Sequence, residues 1–110
     1  MELNEGDVVW IDDYDPWDKL GVDDYGVVLS VDENGVDVVV QFDNEAQKFS
    51  RRDLARLMTA KEIKNGQTTR IEECNATTIT AHNLMGIATI HYVDGKPVRV
   101  MWTELEVSGD

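Results

Sequence analysis

An all-β fold follows from three features of this 110-residue chain. Apolar and polar residues alternate with a period of two in short runs, and those runs are rich in valine, isoleucine and threonine. Turn-forming residues, chiefly Gly, Asn and Asp, separate the runs at short intervals. A chain of this length buries about 65% of its unfolded surface, enough for one domain or two very small barrels to fold without staples.

The elements follow in order. Gly6-Asp7 launches a first strand over 8–11, and a long acidic loop separates it from a second over 25–31. Asp32-Glu33-Asn34-Gly35 turns the chain, with Asn34-Gly35 suited to positive φ in a tight hairpin. Residues 36–42 return antiparallel, 43–46 turn again, and 47–49 form a short fourth strand. Ser50 opens SRRD, a capping-box pattern that predicts one helical turn over 51–54. Residues 55–58 then close the sheet. Five short strands with a long first loop and a helical turn before the last make a small β-barrel. Its predicted core is Val8, Val27, Leu29, Val38, Val40, Leu54 and Leu57.

Thr59-Ala60-Lys61-Glu62 is a second capping box, and Gly66 is placed to end the short linker helix it begins. The second half echoes the first about sixty residues later. Gly66–Ile71 follows Gly6–Ile11, 86–90 follows 26–30, Asp94-Gly95 follows Asn34-Gly35, and 98–102 follows 36–42. The expected organisation is a barrel over 1–58, a linker helix over 59–65, and a second barrel or an extended β unit over 66–110.

The run GDVVWI, YGVVLSV, VVVQFDNEAQKF, RRDLARL resembles an SH3-like barrel of the Tudor type over residues 6–58. Tyr25–Val28, Phe42-Asp43-Asn44 and the Leu54/Leu57 pair stand where that family has its second strand, its DYGN turn and its closing Leu-x-x-Leu. The Tyr-Gly of the family turn is missing, since Asn44 directly follows Asp43. Other SH3-like barrels fit nearly as well, so the resemblance implies a fold and leaves function to the residues.

Charge excludes one class of partner. The net charge is −12, and residues 1–57 carry 15 acidic against 5 basic side chains. A field of that sign repels phosphate backbones, so direct nucleic-acid binding is disfavoured and basic protein surfaces or peptides are favoured. Cys74 is the single cysteine, so no internal disulfide forms and a reducing compartment is expected. The acidic N-terminus lacks an apolar signal region, and no apolar run has the ~20 residues of a membrane span. A cytoplasmic protein is the expectation.

No enzyme motif is present: there is no phosphate loop, nucleophile elbow or His-Glu-x-x-His. No cofactor is expected. DDYDPWD, residues 12–18, fails as a calcium loop because Trp17 and Asp18 fall where a ligand and the glycine belong. No metal is expected, since Cys74, His82 and His91 lack paired ligand spacing. Nine residues apart, the two histidines are expected on opposite faces of the sheet.

The aromatic residues carry the site expectation. Trp10, Tyr14, Trp17, Tyr25 and Phe42 converge at one rim of such a barrel, beside Asp12, Asp13, Asp15, Asp18, Asp43 and Asn44. Rings among carboxylates suit a Lys or Arg side chain. A non-enzymatic interaction module, adaptor or inhibitor, is the expected function. The alternative is a nucleic-acid mimic whose acidic strip, Asp12 through Glu45, blocks a DNA- or RNA-handling enzyme.

Overall fold

The structure, a computed structural model, describes residues 2–11 and 25–105. It is all-β, with two antiparallel sheets. The first contains β1 (Val8–Ile11), β2 (Tyr25–Val31), β3 (Asp37–Phe42), β4 (Glu45–Ser50) and β5 (Leu54–Met58), in the order β4-β3-β2-β1-β5. The second is a meander of β6 (Gln67–Glu73), β7 (Ala76–His82), β8 (Gly86–Val93) and β9 (Lys96–Glu104). The helix α1 (Ala60–Asn65) joins them.

Turn chemistry sets the register of the first sheet. Asp43 and Asn44 both have positive φ, at 28° and 65°, and make a two-residue hairpin turn between β3 and β4. Short side chains that tolerate this conformation are what such a turn requires. The β4 strand is therefore longer than the sequence predicts, beginning at Glu45. The β2–β3 connection is looser than a tight Asn-Gly hairpin, because Asp32 organises it. Its carboxylate accepts from the Val36 and Asp37 N–H groups at 2.8 and 3.2 Å. Gly35 supplies the positive φ of this loop, at 71°.

One helical turn does precede β5, as a 3₁₀ turn over Arg51–Asp53, but Ser50 makes no side-chain cap bond. The capping box predicted there does not form. At Thr59 it does: Glu62 N–H donates to Thr59 Oγ1 at 3.0 Å, and Thr59 N–H donates to Glu62 Oε1 at 2.9 Å. Those bonds, the Thr59 backbone donor foremost, hold the Glu62 carboxyl below its usual value. A native value below the unfolded one adds stability above the unfolded pKa, which is lost as pH falls through the native pKa. Glu62→Gln is accordingly expected to flatten the acid side of the stability profile. Urea midpoints of both proteins followed from pH 7 down to about pH 2 check this.

Two cores lie on opposite faces of the first sheet. Val9, Ile11, Val28, Val38, Val40, Phe42, Phe49 and Leu54 form one, with Leu3. Both edge strands, β4 and β5, feed that cluster, so the sheet curls around it. Val8, Val27 and Met58 point the other way, into a second core with Ile63, Ala81, Ala88, Ile90, Val100 and Trp102. Strands β1 and β2 are thus buried on both faces. Leu29, predicted as core, is half-buried, because the β2–β3 register shifts between Val28 and Ser30 and resets the alternation. Leu57 is also half-buried, against the second core.

The second sheet departs from the sixty-residue echo. Strand β7 lies between β6 and β8, where the echo sets a counterpart of the acidic loop. Cys74 sits exposed in the β6–β7 turn at φ 56°. His82 and His91 share the sheet's outer face, correcting the expectation of opposite faces. They stand on neighbouring strands, and the chain reverses between them, so simple parity does not apply.

Candidate functional site

Strand pairing places part of the predicted rim together. Trp10 is the register partner of Tyr25 across β1 and β2. The described chain stops at Ile11 and resumes at Tyr25, so these two residues stand at or beside the limits of the described segments. With Leu57 of β5 and Glu104 at the end of β9 they line a cavity of about 150 Å³. Both rings are half-buried, and Glu104 is exposed. The lining therefore combines two aromatic residues, a leucine and a glutamate. Aromatic residues beside an acidic one are a combination that suits a cationic head on an apolar stem.

The remaining predicted site residues fall in three places. Phe42 lies in the first core, 7% exposed, with its ring 6.0 Å from that of Phe49. It presents no face to the rim, a correction that follows from β3 alternation: Val38, Val40 and Phe42 all point inward. Asp43 and Asn44 form the β3–β4 turn at the same end of the sheet as Tyr25, since Val27 pairs with Gln41. Asn44 N–H donates to Val98 O at 2.8 Å, so this turn ties the first sheet to β9. Asp12, Asp13, Tyr14, Asp15, Trp17 and Asp18 lie outside the described residues.

Glu104 was invisible to sequence reasoning as a site residue. It belongs to the second half, about eighty residues beyond Tyr25, and only the packing of the two sheets brings it near. Several larger concavities lack these two rings, among them one of about 700 Å³ lined by Val36, Arg52 and Leu54. A second, about 650 Å³, runs along Glu2–Glu5 and the β2–β3 turn. Another of about 650 Å³ lies between α1 and the β7–β8 turn, lined by Lys61, His82, Leu84 and Leu105.

Among the described residues no group of His, Cys, Asp and Glu is arranged to hold a metal. No described helix is long and apolar enough to cross a membrane. Comparison with protein-family models, curated proteins and solved structures finds no match to this chain.

Proposed function

We propose that this chain is a non-enzymatic protein-interaction module, an adaptor or inhibitor. It binds a basic protein surface or peptide by taking one cationic side chain into the niche of Trp10, Tyr25, Leu57 and Glu104. The observation that carries this reading is the register pairing of Trp10 with Tyr25 in a cavity shared with Glu104, on the two strands that DDYDPWD joins in sequence. The aspartates of DDYDPWD add to the negative charge of the chain, which speeds encounter with a basic partner. An SH3-like barrel of the Tudor type is part of the same proposal. The strand order β4-β3-β2-β1-β5 and the single 3₁₀ turn before β5 support it. So is a cytoplasmic setting, where the exposed Cys74 thiol stays reduced.

Titration with an Arg- and Lys-rich peptide, followed by backbone NMR shifts, tests the reading. Shifts should centre on Trp10, Tyr25, Leu57 and Glu104. Tyr25→Leu should weaken binding by about 30-fold, the size of an interface hot spot. Asparagine at Asp12, Asp13, Asp15 and Asp18 should mainly slow association at low salt. A nucleic-acid mimic reverses that hierarchy: loss of charge abolishes binding to the target enzyme, and loss of the ring changes little.

A further inference from the structure

Strand β6 is the free edge of the second sheet. All seven of its residues are exposed, from Gln67 to Glu73. It stands at the far side of the sheet from β9, the strand that packs on the first sheet. Among the described residues, β7 is its only strand partner. An open edge of this length, with two threonines and an isoleucine and no proline, is a template for another strand. Ile71 stands 59% exposed on it.

The backbone fixes which groups are open. Glu73 and Ala76 close the two-residue turn at Cys74-Asn75, so they exchange both backbone bonds. Alternation then turns the N–H and C=O of Ile71 towards β7, and those of Arg70 and Glu72 towards the open edge. A second strand can therefore pair regularly through Arg70 and Glu72, while Thr68, of the same parity, sits in the irregularity between Gln67 and Thr69.

We infer that β6 pairs antiparallel with β6 of a second copy, about a two-fold axis at Ile71, joining two four-stranded sheets into one of eight. In that register Arg70 of each copy faces Glu72 of the other, and the two Ile71 side chains meet. Within one copy Arg70 and Glu72 already form an ion pair at 2.7 Å, with both side chains more than half exposed. The dimer extends it into a ring of four alternating charges. Sliding by two residues sets Arg70 against Arg70, or Glu72 against Glu72, and like charges directly opposite are unfavourable. Sliding by one sets inward-facing backbone groups against outward-facing ones. The R-I-E triplet is thus self-complementary in one register, as an isologous interface requires. A different strand-shaped partner would not need that symmetry.

Sedimentation equilibrium over a concentration series tests this with the full chain. The mass should rise from 12.4 kDa towards twice that value. Arg70→Glu and Glu72→Arg should each weaken dimerisation by about tenfold or more, since two facing pairs become repulsive. The double variant R70E/E72R restores opposite charges across the axis and should dimerise again. In the wild type, hydrogen exchange of the Arg70 and Glu72 amides should slow as concentration rises, while that of Ile71 stays constant. A chain that remains monomeric up to about 1 mM overturns the inference. So do single variants that dimerise like the wild type, or concentration-dependent protection that spares Arg70 and Glu72.

Discussion

A fragment of residues 1–60 is expected to lose cooperative unfolding, although it holds every strand of the first sheet. The reason lies on the sheet's outer face. Val8, Val27 and Met58 are at most 2% exposed, and what covers them is the second sheet with Ile63. Removing residues 61–110 returns these three side chains to water. Each is worth about 1.5–3 kcal/mol when fully buried, so the loss is about 4–9 kcal/mol. Small domains are stable by about 5–15 kcal/mol, and one of sixty residues lies at the low end. The expected result is a broad, non-cooperative thermal transition by circular dichroism, with the full chain melting sharply. Adding residues 61–110 in trans should restore the sharp transition. A fragment that melts cooperatively alone would mean that the core built on Val9, Val28, Val38, Val40 and Phe49 suffices, and that the second sheet only shields it.

The strands of the first half were legible because each is a short run of β-branched residues ended by turn chemistry. Val8–Ile11 and Tyr25–Val31 appear at the predicted bounds. Burial on two faces was signalled too, by the doublets Val8-Val9 and Val27-Val28, which break a strict alternation. Apolar residues at consecutive positions mark a strand covered on both sides. Other features had no local signal. Leu3 stands alone among polar residues, yet is core. The bulge that demotes Leu29 depends on how β2 crosses two partners. Trp10 and Tyr25 could be named from sequence because an acidic stretch of sequence lies between their strands, whereas Leu57 and Glu104 join them only through sheet packing. Phe42 was misplaced for a different reason: the inward parity of β3 was readable, but its position beside an acidic turn suggested the rim.

Asp7 shows what the turn Gly6-Asp7 does beyond launching a strand, and its replacement by alanine is expected to destabilise the protein. It is the buried charged residue among those described, at 1% exposure. One carboxylate oxygen accepts from the Asn4 N–H and the other from the Ala60 N–H, both at 2.9 Å. The first bond closes the N-terminal turn. The second crosses 53 residues to the first position of α1, so one side chain fastens β1 to the helix that leads into the second sheet. Around it Gly6 N–H donates to Val28 O at 2.8 Å and Val28 N–H donates to Asp7 O at 2.9 Å, which hold the carboxylate in place. Asp7→Ala leaves two partly buried backbone N–H groups without their carboxylate acceptor, and at exposed Asn4 water can take its place. A buried orphan costs about 1–3 kcal/mol, and with the Ala60 N–H as the better shielded donor the expected loss is about 1–3 kcal/mol. Asp7→Asn keeps an oxygen for one donor but turns an amide N–H₂ towards the other, and should fall between alanine and the wild type. Urea unfolding of the three proteins at pH 7 checks the order. Equal midpoints would show that water or a rearranged turn satisfies both N–H groups, and that the bond to Ala60 does not hold the two halves together.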